Sequence, residues 1–178
     1  MLRTLLFGLL IAGSLNLSAQ DYFLKQYEPY TEGIPSPEEF LGYGIGEYHT
    51  RHDRIVHYLE TLASVSENAE IETYGYTHEK RKLVILRVSQ TAHLENLAEL
   101  QEQHLAFTDP GASVNPDADL PIFVQLGYNV HGNEPSSSEA ALLSAYILVA
   151  SQNPLIERFR REAVIFIDPT INPDGRDR

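Results

Sequence analysis

The sequence predicts an α/β domain, and three patterns carry that expectation. Two short apolar runs, residues 122–126 and 163–167, read as strands covered on both faces. The stretch 136–151 between them reads as a long helix, which completes a βαβ unit. Upstream, residues 71–77 and 82–89 are rich in β-branched and aromatic side chains and flank the polar connection 78–81, so they read as a strand pair. With 178 residues, 43% of them hydrophobic, ten Tyr and seven Phe, the chain has the apolar surface for one packed core.

From the N-terminus, Arg3 followed by the apolar run 5–17 and the small residue Ala19 predicts a signal peptide over 1–19, cleaved after Ala19. The run is too short to span a bilayer, so no stable membrane anchor is expected, and the protein is expected to be secreted or periplasmic. The formal charge of −12 becomes one unit more negative when Arg3 is removed. Such acidity opposes phosphate backbones and anionic lipids, which argues against nucleic acid and membrane surfaces as partners. The absence of cysteine excludes disulfides, thiol chemistry and Cys-based zinc sites.

Residues 20–42 form an aromatic, Pro-containing lead-in, within which Ser36-Pro37-Glu38-Glu39 predicts a short helix started by a capping box. From Thr50 onward, Ile55, Val56, Leu59, Leu62 and Ala63 form one helical stripe ending near Val65. Leu94, Leu97, Ala98, Gln101 and Leu105 predict a further amphipathic helix before the Asp109-Pro110-Gly111 break. The helix at 136–151 is predicted to start with Ser136 and Glu139 as a second capping box, and the turn at Asn153-Pro154 extends the crossover.

In parallel sheets, ligand sites gather beyond the carboxyl ends of the strands. After the first apolar strand stands Tyr128-Asn129-Val130-His131-Gly132-Asn133-Glu134. A turn there brings an imidazole and a carboxylate, three residues apart, toward one cation, with Gly132 letting the backbone turn tightly. Both groups are ordinary zinc ligands at about 2.0–2.2 Å. Spacing alone is weak evidence, because His57 and Glu60 share it inside a regular helix, where they read as surface residues. At the strand end the alternative is a histidine bonded within the turn and a carboxylate stabilised by the next helix.

The end of the second strand, Asp168-Pro169-Thr170-Ile171-Asn172-Pro173-Asp174-Gly175-Arg176-Asp177-Arg178, borders the same crevice. Asn-Pro-Asp-Gly alone is strong surface-turn chemistry. Beside the His131 turn, it would place Arg176 and Arg178 to hold a carboxylate or polarise a carbonyl oxygen.

A hydrophobic strand ending in His131-Gly132-Asn133-Glu134, a helix, and a strand ending in Asn172-Pro173-Asp174-Gly175 resemble the zinc carboxypeptidase (M14) family of metallopeptidases. The upstream helix and the strand pair with Gly75 and Arg81 are similar to that family's N-terminal layout, so the resemblance covers residues 43–178. It implies an α/β/α sandwich around a mixed sheet, zinc held by His131 and Glu134, a peptide substrate cleaved at its C-terminus and Arg176 as a transition-state arginine, while Arg178 is read from its placement alone as a substrate-binding group. It also implies a third zinc ligand, a histidine, and a catalytic glutamate downstream of Gly175. No histidine follows His131 here, so the chain is expected to be a truncated catalytic domain, inactive by itself. N-acyl amino acid deacylases of the same superfamily, a cell-wall peptide endopeptidase and a secreted non-catalytic binding domain are the competing readings.

Overall fold

The computed structural model describes residues 19–115 and 119–178. Most of the predicted leader therefore lies outside the described residues. Four strands, β1 (Ala69–Tyr76), β2 (Lys82–Val88), β3 (Ile122–Gly127) and β4 (Ala163–Asp168), form one mixed sheet in the order β1-β2-β4-β3. β2 runs antiparallel to β1 and β4, whereas β3 and β4 are parallel, as the βαβ pattern predicts.

The register explains which face is the core. Leu86 lies opposite Ile71 and Ile167, and Ile167 lies opposite Leu126. Val88 likewise faces Ala69 and Ile165, and Ile165 faces Val124. Since side chains alternate along a strand, these rows fall on one face. Two helices, numbered in chain order after α1 (Ala19–Lys25) and α2 (Pro37–Leu41), cover that face: α3 (His52–Val65) and α6 (Ser136–Ala150). Ile55, Leu59 and Leu62 of α3 are fully buried, each contributing about 1.5–3 kcal/mol. α6 is apolar on most of its surface because it lies between the sheet, α3 and α7 (Pro154–Glu162). Asn153 caps α7, accepting from the Leu155 N–H at 3.0 Å. Buried Arg160 donates to the carbonyls of Leu148 and Ser151, both at 2.8 Å, at the end of α6.

The opposite face carries Arg87, paired with Glu72, and the ring pair Phe123–Phe166. The helix predicted over 94–105 is divided there. α4 (Thr91–Glu95) ends at Asn96, whose φ of −111° and ψ of 21° are not helical, and α5 (Leu97–Ala106) restarts from it. Asn96 instead turns its side-chain amide onto the Ala92 carbonyl at 2.8 Å, a local bond that competes with the helix. α5 lies over this face through His104, whose ring is 4.3 Å from that of Phe123. Helices thus flank both faces of the sheet.

The two Ser-x-x-Glu patterns separate sharply. Ser36 and Glu39 form the predicted capping box, with the Ser36 N–H on Glu39 at 2.7 Å and the Glu39 N–H on Ser36 at 3.3 Å. Ser136 and Glu139 do not. The N-cap of α6 is Pro135, no side chain caps the helix, and Glu139 is buried on the core side. A carboxylate on the inner face finds partners in the interior and cannot reach back to its own helix start. The lead-in straps the far end of α6: the Thr31 N–H donates to the Ala150 carbonyl at 2.8 Å and Tyr30 stacks on Tyr146 at 4.6 Å.

Candidate metal centre

Beyond Gly127 and Asp168 the two parallel strands stay tied together. The Tyr128 N–H donates to the Asp168 carbonyl (2.9 Å), Ile171 N–H to the Tyr128 carbonyl (2.9 Å), and Asn172 N–H to the Asn129 carbonyl (3.1 Å). Between these bonds Asn129 adopts a left-handed φ of 54° and turns the chain away from the sheet. Asn is among the few non-Gly residues that tolerate this conformation. Its buried side chain donates through Nδ2 to the carbonyls of both His131 and Glu134, each at 2.9 Å. Inside the turn, the Glu134 N–H donates to the His131 carbonyl at 3.0 Å. The Asn129 N–H reaches Ser137 Oγ, in the first turn of α6, at 2.7 Å.

His131 and Glu134 both stand exposed on this braced turn, and among the described residues neither side chain has a hydrogen bond or ion pair. The alternative of a histidine bonded within its turn does not describe this geometry. By contrast, His57 is an exposed residue with its ring edge to Phe40, and Glu60 pairs with Lys82 at 2.9 Å. His131 and Glu134 therefore fit zinc in kind, as an uncommitted imidazole and carboxylate. In number they are two: among the described residues no group of three or more His, Asp or Glu could hold a metal ion.

Gly132 lies in the tight turn closed by the Glu134 N–H on the His131 carbonyl, and has a second role besides. Its φ is not left-handed, but a Cβ there would lie 2.1 Å from the Gly175 carbonyl carbon and 2.4 Å from the Arg176 nitrogen. The glycine is required by backbone-to-backbone contact between the two motifs. On the other side of that contact, Asn172-Pro173-Asp174-Gly175 forms a single helical turn, α8 (Pro173–Arg176), and not a β-turn. Asn172 Oδ1 caps it, accepting from the Gly175 N–H at 3.0 Å.

The sequence puts Arg176 in the crevice; the structure turns its guanidinium inward. The side chain has no exposed surface. Nε and Nη2 donate to the Thr50 carbonyl at 2.9 and 2.7 Å, Nη1 to the Pro135 carbonyl at 3.0 Å, and Nη2 to Glu139 Oε1 at 2.8 Å. Glu139 also accepts from the Thr50 N–H and hydroxyl, both at 2.9 Å. Burial lowers the Arg176 pKa, and the Glu139 carboxylate beside it works the other way. These contacts present no donor toward a substrate and bind α8, the start of α6 and Thr50 into one unit. Arg178 is exposed, without an ion pair among the described residues.

Two further groups went unread in the sequence. Asp174 accepts from Thr77 Oγ1 and Arg81 Nη1, both at 2.7 Å, which clasps the β1–β2 turn to α8. Asp168, at the end of β4, accepts from the Tyr74 hydroxyl at 2.6 Å, while its Oδ1 is buried without a partner among the described residues. Burial raises its pKa, against the opposing pull of the Tyr74 bond.

Comparison with known proteins adds an independent finding. A family model described as zinc carboxypeptidase matches residues 55–178. No curated protein matches the sequence. Among solved structures, carboxypeptidase A from Helicoverpa armigera is similar at 19% identity and a TM-score of 0.54, over 89% of this chain. Thrombin activatable fibrinolysis inhibitor is similar at 16% identity and a TM-score of 0.53, also over 89%. At such identities the likeness is one of fold, and the chain spans 31% of the length of each.

Proposed function

The chain belongs to the zinc carboxypeptidase family, and on that premise we propose that it carries part of the active centre of a hydrolase that removes residues from the C-terminal end of peptides. The observation that carries the reading is the joint state of His131 and Glu134, an imidazole and a carboxylate without partners among the described residues, on one braced turn. Zinc held there would supply Lewis acidity toward a scissile carbonyl and lower the pKa of bound water. The rest falls to the chain. Arg178 offers an exposed guanidinium suited to a substrate carboxylate. Arg176 acts from inside, holding α8 against Gly132 through its bonds to Thr50, Pro135 and Glu139. A hydrolytic zinc site takes three protein ligands and a general base, of which this reading assigns two ligands, His131 and Glu134. We therefore expect residues 1–178 alone to bind zinc weakly and to be inactive. Export by cleavage after Ala19 belongs to the same proposal, supported by Arg3 and the apolar run that follows it. Among the described residues, no helix is long and apolar enough to cross a membrane.

The test is a zinc titration of the 178-residue chain and of its His131→Ala variant. Weak binding that disappears in the variant supports the assignment, and equal binding by both sinks it. Peptidase activity from these residues alone would overturn the two-ligand account. Turnover of N-acyl amino acids without turnover of peptides would favour the deacylase.

A further inference from the structure

We infer that Asn129 is the positioning residue of the His131 and Glu134 pair, setting the geometry of both donors through one side-chain amide; this rests on the zinc reading above. Its backbone and side chain perform separable tasks. The left-handed φ of 54° redirects the chain at the end of β3, a task that glycine performs without strain. Only the side chain does the second. Nδ2 has two N–H donors, and both are spent on carbonyls of the donor residues themselves, His131 and Glu134 at 2.9 Å each. The first and last residues of the turn are thereby pinned to one atom.

The other end of the amide shows that this bonding comes at a cost. Asn129 is 3% exposed, and its Oδ1 is buried with no partner among the described residues. Rotating the amide by half a turn would aim Oδ1 at two carbonyl oxygens, so the bonding pattern fixes the orientation and leaves the oxygen unpaired. An unsatisfied buried acceptor is unfavourable. Glycine would avoid that penalty and keep the turn, but it would release both carbonyls. Around the amide, the Asn129 N–H is held by Ser137 and its carbonyl by the Asn172 N–H, so the pivot is itself fixed to α6 and to the segment leading into α8. A change at Asn129 is therefore transmitted to the directions of His131 and Glu134, and the sheet is left as it is.

Two variants separate the tasks. Asn129→Gly keeps the left-handed backbone and removes the staple; Asn129→Asp keeps the shape but faces the two carbonyls with an acceptor. In zinc titrations, loss of such a supporting bond weakens affinity by about 10–100-fold, and Asn129→Asp should fall at least as far as Asn129→Gly. A second readout needs no metal. Hydrogen exchange at the Glu134 amide should accelerate about tenfold or more in Asn129→Gly while the amides of β2 and β4 keep their protection. A folded Asn129→Gly protein with wild-type zinc affinity and an equally protected Glu134 amide would overturn the inference. If wild type binds zinc no better than His131→Ala, the zinc reading fails, and the Glu134 exchange rate still decides whether Asn129 holds the turn.

Discussion

Replacing Gly132 by alanine tests whether the two motifs depend on direct backbone contact. A Cβ at this position would sit 2.1 Å from the Gly175 carbonyl carbon, against a practical minimum of 3.0 Å. The obstructing atoms are backbone, so no side-chain rotation relieves the clash. Either α8 or the His131 turn must move, and α8 is held through Arg176 to Thr50 and Pro135, and through Asn172 to Asn129. Overpacking of a close contact costs about 1–3 kcal/mol, and an obstruction made of backbone on both sides belongs at the upper end. Gly175→Ala is the control. Its Cβ would meet the Asn172 side chain at 2.7 Å, a group that can swing aside at the cost of a cap, about 1 kcal/mol. Urea unfolding followed by circular dichroism should rank wild type above Gly175→Ala and Gly175→Ala above Gly132→Ala. A Gly132→Ala protein within about 0.5 kcal/mol of wild type, the range of an ordinary surface change, would refute the reasoning.

Two other substitutions probe the buried charges. Glu139→Ala strands Arg176 in the interior, and loss of one partner from a buried pair costs about 3–5 kcal/mol in denaturant unfolding; partial recovery by the double variant with Arg176→Met is expected, and its absence would show that Arg176 does not depend on the pair. Asp168→Asn probes pH. Burial raises the folded-state pKa of Asp168 above its unfolded value, so the group's favourable contribution is complete below the unfolded pKa and is lost as pH rises through the folded one. The stability of Asp168→Asn relative to wild type should therefore increase as pH climbs from about 4, the usual aspartate value, and a gap that stays constant from acid to neutral pH would exclude the effect.

The parts legible in the sequence are those whose physics is local. Residues 163–167 are apolar throughout and 122–126 are apolar except at Gln125, and the parallel pair that follows from this is present with Val124 against Ile165. His131 and Glu134 could be separated from His57 and Glu60 because only the first pair follows a strand. What stayed hidden depends on the direction a side chain takes. Ser36-x-x-Glu39 and Ser136-x-x-Glu139 are the same pattern, yet only the exposed one closes on itself, since Glu139 lies opposite Thr50, 89 residues away. Arg176 could not be read as an interior group because its acceptors, Thr50 and Pro135, are remote in sequence. Asn129 did leave a signal, an Asn just past a strand end where a left-handed residue is needed, but its bonds to His131 and Glu134 appear only in three dimensions.

The Arg176 unit also bears on the order in which the chain folds. Its bonds to Thr50 span 126 residues and its bond to Glu139 spans 37, so both join segments that only the tertiary fold brings together. Closing loops of that length costs conformational entropy before any contact rewards it. Interactions made after the barrier act on the rate of unfolding. If the Arg176–Glu139 pair forms after that barrier, Glu139→Ala should raise the unfolding rate and leave the folding rate unchanged, which stopped-flow kinetics would show.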